Sequence, residues 1–144
     1  MKAFSLFATV LFLTGCATPP GKLTDSDFVI RRIEVAQPTR DVAANFRDGL
    51  RYCGSETGIG FVTHHGIPDC GPERSNGSLV CDMYVPQGFG AGRSELVLGI
   101  VEFKSLASNS TEVILKVQTF VAKKNAILNA WEKFAEGRHK DICQ

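Results

Sequence analysis

The sequence predicts an α+β domain in which two helices cover one face of a four-stranded, mainly antiparallel sheet. Short segments rich in β-branched and aromatic residues alternate with turns rich in glycine and proline, as strands do. Two longer segments repeat apolar residues every three or four positions, as amphipathic helices do. Their order is β-α-β-β-β-α, which folds most simply as a strand and a helix, an antiparallel meander, and a second helix on the same face.

The first strand is predicted at residues 28–35, with a bulge at Arg31 and Arg32, where the apolar alternation slips by one. Pro38 ends the strand, and Thr39 is suited to cap the N-terminus of a helix. The apolar stripe that follows predicts a helix of about 13 residues. This stripe consists of Val42, Phe46, Leu50 and Cys53.

Three strands and a helix are predicted in the second half of the chain. The strands cover residues 79–85, residues 95–104 and the alternating segment 112–121. In the middle strand, one face is predicted to carry Val97, Val101 and Phe103, and the other Leu96, Leu98 and Ile100. The final helix, at about residues 122–137, is predicted to turn one apolar side toward the sheet. That side consists of Ile127, Trp131, Phe134 and Ala135.

The N-terminus begins with Lys2 and an uncharged apolar run of signal-peptide length, far shorter than the ~20 residues of a membrane-spanning helix. The run ends in Leu13-Thr14-Gly15-Cys16, which resembles the lipobox of bacterial lipoprotein precursors. The resemblance implies that residues 1–15 are removed, that Cys16 receives a diacylglycerol on its sulfur, and that its new amine is acylated. Ala17 stands where an Asp often retains such proteins in the inner membrane. The resemblance therefore implies an outer-membrane anchor with the body in the periplasm.

Residues 16–26 are predicted to be the lipidated cysteine and a tether, which Pro19 and Pro20 stiffen. Residues 27–144 are of a length typical of one domain. Without Lys2, 15 basic residues balance 15 acidic ones, so no electrostatic footprint for nucleic acid is expected. Two or more acyl chains hold a protein stably at a membrane, so the body needs no membrane surface of its own.

The body contains four cysteines, which are Cys53, Cys70, Cys81 and Cys143. An even number in an exported chain indicates two disulfides. Zinc is the alternative, since His64 and His65 lie between the first two cysteines, but no two cysteines form a C-x-x-C pair. All three pairings stay open, with a weak preference for Cys53–Cys70 and Cys81–Cys143.

The cysteines also favour four strands over five. With four strands, the alternating chain direction brings every cysteine to one pole of the sheet. A fifth strand at residues 58–63 would place Cys53 about 20 Å from the others, at ~3.3 Å per residue. A disulfide needs Cα atoms within about 7 Å. Residues 54–78 contain many glycines and polar turn signals and are predicted to form one long loop, of a length that is often functional, with residues 58–63 as a candidate short strand inside it.

The predicted order of strands and helices, together with the lipobox, also resembles the helix-grip modules found in envelope lipoproteins, including those of the outer-membrane β-barrel assembly machinery. This resemblance covers topology and compartment. It implies a helix-grip architecture in the cell envelope and carries no functional residues over to this chain.

No nucleophile and base occur in a recognisable catalytic context, so the first hypothesis is a non-enzymatic lipoprotein that binds or scaffolds another envelope protein, without metal or cofactor. Its candidate partner surfaces are His64, His65 and Asp69 in the loop, and Ile114 and Phe120 on the sheet face opposite the helices.

A second hypothesis is a metal-dependent or histidine-based hydrolase that uses the same loop. A third is a small-ligand binder, with a pocket between sheet and helices lined by Phe46, Trp131 and Phe134. The sequence indicates neither the partner nor an oligomeric state.

Overall fold

The computed structural model describes residues 20–55, 65–86 and 93–143. They form an α+β fold with two α-helices and one antiparallel sheet, as the sequence predicts. The strands are β1 (Phe28–Val35), β2 (Ile67–Cys70), β3 (Leu79–Pro86), β4 (Arg93–Ala107) and β5 (Ser110–Gln118). The helices are α1 (Thr39–Ser55) and α2 (Lys124–Ala135), with short 3₁₀ turns at Pro20–Lys22, Asp25–Asp27 and His139–Asp141. Across the sheet the strand order is β1-β5-β4-β3-β2.

The sheet has five strands among the described residues, and the prediction of four is corrected by β2. This strand lies inside the segment predicted as a loop, and it pairs antiparallel with β3 so that Cys70 stands opposite Cys81. Four residues that include Pro68 are too few to show an alternating pattern, which explains why the sequence did not reveal the strand. The alternative strand at residues 58–63 lies outside the described residues.

The predicted bulge at Arg31 and Arg32 is also wrong. The pairing of β1 with β5 runs without interruption from Phe28 opposite Gln118 to Val35 opposite Thr111. The apolar alternation slips because Arg31 points to the helix side of the sheet, where its guanidinium donates to Asn129 Oδ1 at 2.7 Å and to Glu132 Oε2 at 2.8 Å. A polar residue therefore occupies an inward position without a change in register.

Both helices pack on the same face of the sheet and share one core with it. Phe46 of α1 lies at the centre, with its ring edge-on to Phe103 at 5.7 Å and to Trp131 and Phe134 at 6.1 Å. The predicted stripes of both helices face this core, and only Leu50 among them is partly exposed. Such edge-to-face aromatic packing stabilises a core beyond the area that it buries.

A β-bulge in β4 changes which side chains enter the core. Met83 pairs with Gly99 while its neighbour Tyr84 pairs with Val97, so Leu98 is the extra residue. One extra residue reverses the alternation of side chains beyond it. Leu98 consequently joins the core, contrary to the prediction that it faces away from Val101. Val97 lies outside that core, and its carbonyl accepts a hydrogen bond of 2.6 Å from Gln118 Nε2.

The other side of the sheet, turned away from the helices, is called the open face below. Its centre consists of Ile30, Arg32, Ile100, Glu102, Ile114 and Lys116, which pair across three neighbouring strands. Ion pairs join Arg32 to Glu112 at 3.3 Å and Glu102 to Lys104 at 3.6 Å along this face. The open face therefore mixes apolar residues with paired charges.

Candidate functional site

The cysteines form two pairs at disulfide distance, Cys53 with Cys143 and Cys70 with Cys81, with Cα separations of 5.3 and 3.9 Å. This connectivity replaces the weak preference for Cys53–Cys70 and Cys81–Cys143. The reason is β2, because it places Cys70 directly opposite Cys81 on the neighbouring strand. Cys53, near the end of α1, then pairs with Cys143, which follows the last 3₁₀ turn. One disulfide thus fixes the end of α1, and the other fixes the edge strand.

Cys16, the predicted lipidation site, lies outside the described residues. The segment that follows it is held to the open face by Asp25, whose carboxylate accepts a 2.7 Å hydrogen bond from the Lys116 ammonium. This hydrogen bond, together with the charge of the same ammonium, lowers the pKa of the Asp25 carboxyl below its ordinary value. Asp25 therefore holds the segment just before β1 against the open face.

The loop residues predicted as a partner surface or as catalytic groups are only partly described. His64 lies outside the described residues. His65 packs its ring edge-on to Phe134 at 5.2 Å, and its carbonyl accepts a 3.0 Å hydrogen bond from Trp131 Nε1. Asp69 is exposed on β2, opposite Asp82. Within the described ranges, no three His, Cys, Asp or Glu side chains are grouped so as to hold a metal ion.

The two residues predicted to be exposed on the open face differ from each other. Phe120 is 61% exposed, but it lies in the turn after β5 and not on the sheet face, and Ile114 is only 1% exposed. Ile114 occupies the middle of the sheet, opposite Arg32 on β1 and Glu102 on β4. The aliphatic stems of such long charged side chains cover apolar neighbours while their charges stay in water. Ile114 is consequently part of the packed sheet and unavailable to a partner.

The predicted ligand pocket between sheet and helices is filled by its own lining. Phe46, Trp131 and Phe134 are at most 2% exposed and pack against one another. A space beside Phe46, bounded also by Leu50 and Phe103, has a volume of about 10 Å³. That volume has room for about one water molecule. These three aromatic residues therefore form part of the hydrophobic core at the place where a ligand pocket was predicted.

A groove lies between α1 and β2, with a volume of about 480 Å³. We call it the α1–β2 groove, and its lining is Arg47, Leu50, Arg51, Gly66, Ile67, Pro68 and Cys70. Its volume falls in the range of ~300–1,000 Å³ that is typical of ligand-binding clefts. One part of the lining is apolar, and the helix contributes two guanidinium groups. The groove therefore offers an apolar floor beside a concentrated positive charge.

The two arginines of the groove stand one helical turn apart on α1 and are exposed. Neither forms an ion pair with another residue of the described part of the chain. Arg47 and Arg51 lie outside the apolar stripe of α1, and the sequence alone indicates no role for them. The missing information was β2, because only its position beside α1 turns one exposed side of the helix into the wall of a groove.

Over the described ranges, no helix has the length and apolar character that crossing a membrane requires. No protein-family model matches the sequence, and no curated protein matches it significantly, so its function is inferred from the residues and the geometry described above.

Proposed function

We propose that this chain is the precursor of a bacterial outer-membrane lipoprotein whose periplasmic body binds another envelope component and catalyses no reaction. The observation that carries the proposal is a pair of disulfides in a body that follows a lipobox-like leader. Disulfides persist in the periplasm and are rare in a reducing cytosol. A helix-grip-like architecture belongs to the same proposal, and two helices on one face of an antiparallel sheet support it.

Within this proposal, the α1–β2 groove is the binding site, and its occupant is an extended acidic segment of another envelope protein. Arg47 and Arg51 support this choice, because guanidinium groups bind carboxylates through two parallel hydrogen bonds. The apolar floor formed by Leu50, Ile67 and Pro68 adds contact area for side chains of the segment. One wall of the groove, from Gly66 to Cys70, belongs to the segment 54–78 that the sequence nominates as a partner surface.

The lipid anchor is tested by the mass of the mature protein isolated from cell membranes. We expect the chain to begin at Cys16, to carry three acyl chains and to lack four thiol hydrogens. A Cys16→Ala variant is expected to lose all acyl mass, because its side chain has no sulfur to modify. Recovery of the full-length wild-type chain from the cytosol, with its leader uncut and its thiols free, would overturn the proposal.

The groove is tested by charge reversal on α1. In the Arg47→Glu/Arg51→Glu variant, we expect photo-crosslinking from position 50 to the partner to fall at least about tenfold, since rim charges act by attraction and steering. The matched control is Arg40→Glu, which reverses an exposed charge on the same helix but outside the groove lining. Its crosslinking is expected to match the wild type.

The crosslinked peptide also identifies the occupant when it is sequenced by mass spectrometry. A segment rich in Asp and Glu that is lost in the double variant and retained in the Arg40→Glu control supports the proposed site. A neutral or basic segment, a lipid or a glycan would contradict it. So would equal crosslinking by the double variant and the control.

A further inference from the structure

The two edges of the sheet differ in how many backbone hydrogen-bond donors they expose. Edge strands with unpaired N–H groups can pair with another chain, and proteins usually block them with proline, short strands or bulges. The β2 edge is blocked in this way. It has only four residues. The Gly71 N–H donates to the Val80 carbonyl, and bonding alternates along an antiparallel pair, so the backbone groups of Pro68 and Cys70 point away from β3. Because proline has no N–H, Cys70 supplies the one outward donor of this strand.

The β1 edge is not blocked. The Thr119 N–H donates to the Asp27 carbonyl at 2.9 Å, so the odd-numbered residues of β1 direct their backbone groups to β5. The N–H and C=O groups of Ile30, Arg32 and Glu34 consequently point away from the sheet. The described residues offer these three N–H groups no acceptor. The strand has eight residues, contains no proline or lysine, and keeps an uninterrupted register.

We propose that a second copy of this chain pairs with β1, antiparallel, so that the two sheets form one continuous ten-stranded sheet. Hydrogen-bonded pairs must join the outward residues of both copies, which restricts the register. If the two-fold axis passed beside Arg32, the arginines of the two copies would stand opposite each other, which is unfavourable. If the axis passes beside Ile33, each Arg32 stands opposite Glu34 of the second copy. The charges of this edge are therefore self-complementary in one register.

That register also gives Ile33 a partner. This half-buried side chain lies on the helix side at the exposed edge, and it would face Ile33 of the second copy across the two-fold axis. The pairs of Arg32 with Glu34 would add about four backbone hydrogen bonds, two for each pair. The ladder uses the half of β1 that is distant from the N-terminal turn at Asp25–Asp27.

The symmetry axis of such a dimer is perpendicular to the sheet, so the open faces of both copies point the same way. Asp25 holds the N-terminal segment of each copy to this open face through Lys116. Both segments would therefore leave from one side of the dimer, which suits two lipid anchors in one membrane. This last step rests on the proposed lipid anchor, whereas the strand pairing does not.

The pairing is tested by charge reversal in the full chain carrying Cys16→Ala, which removes any contribution from lipid. We expect sedimentation to show a concentration-dependent dimer. Arg32→Glu alone and Glu34→Arg alone should each weaken it at least about tenfold, because each places like charges opposite each other. The two changes together restore opposite charges and should restore the dimer. Lys104→Glu, on β4 away from the edge, is the control and should leave it unchanged.

The register is tested by a cysteine at position 33. Ile33→Cys residues would face each other in a non-hydrogen-bonded pair about 4.5 Å apart, the arrangement in which Cys70 and Cys81 are found. We expect a covalent dimer from Ile33→Cys and none from Ile30→Cys, which would stand opposite Ala36 of the second copy. A monomer at every concentration, failure of the double charge reversal to restore dimerisation, or crosslinking at position 30 instead of 33 would each overturn the proposal.

Discussion

Replacing Gly99 with alanine is expected to destabilise the fold by about 3 kcal/mol or more, which is at the upper end of overpacking effects. A Cβ at this position would collide with the backbone carbonyl oxygen of Lys116 and come within 2.9 Å of the Trp131 ring. Neither neighbour yields easily, since Lys116 lies in the middle of β5 and Trp131 is fully buried. Relief would require separating two central strands or displacing the largest side chain of the core.

The measurement is urea unfolding followed by the fluorescence of Trp131, the only tryptophan in the chain. Gly71→Ala is the matched control, because a Cβ there meets nothing closer than the Val80 carbonyl oxygen at 3.9 Å and the residue is exposed. This variant is expected to stay within about 0.5 kcal/mol of the wild type, as surface substitutions usually do. Equal stabilities for the two variants would show that β4 and β5 can separate at little cost.

The parts of the fold that the sequence predicts are those in which one signal extends over many residues. In α1, Val42 and Phe46 recur at helical spacing, and both are buried in the core. In β5, Val113, Leu115 and Val117 recur at every second position and are likewise buried. Periodic burial is visible in a sequence because apolar residues recur at the period of the helix or strand wherever one of its faces meets the core.

The parts that the sequence does not predict depend on one or two residues. The bulge at Leu98 inserts a single residue, yet it reverses which side chains of β4 face the core. The strand β2 is short and contains Pro68, so its pairing with β3 leaves no periodic trace. Whether such a bulge or short strand forms depends on contacts in the folded chain. The spacing of residue types along the sequence carries no information about those contacts.

The candidate sites were harder to predict than the fold, because each joins segments that are distant in the sequence. The α1–β2 groove exists only because β2 lies beside Arg47 and Arg51. The free edge of β1 becomes apparent only when the strand order is known. The disulfides depend on the same information, since four cysteines allow three pairings and the register of β2 decides between them. An error about one short strand therefore changed the expected site more than the expected fold.

Removing the Cys53–Cys143 disulfide is expected to cost about 4–5 kcal/mol of stability, and removing the Cys70–Cys81 disulfide only about 3 kcal/mol. The two bonds join residues separated by 90 and 11 positions. A cross-link restricts the unfolded chain more strongly when it closes a longer loop, and that restriction is lost with the bond. The pairing that the sequence weakly favoured would have joined residues separated by 17 and 62 positions, and so predicts a smaller difference, of about 1 kcal/mol.

The experiment compares two paired alanine variants, Cys53→Ala/Cys143→Ala and Cys70→Ala/Cys81→Ala, in urea under non-reducing conditions. Each pair contains one buried cysteine, since Cys53 is 8% exposed and Cys81 is 2% exposed, but Cys143 packs partly buried against the core whereas Cys70 is exposed. Mass spectrometry after alkylation verifies that the remaining disulfide is intact in each variant. Loop length is expected to supply most of the larger loss for the first variant, and the core contact of Cys143 adds to it in the same direction. Equal losses, or a larger loss for the second variant, would mean that the folded state around these bonds outweighs the restriction of the unfolded chain.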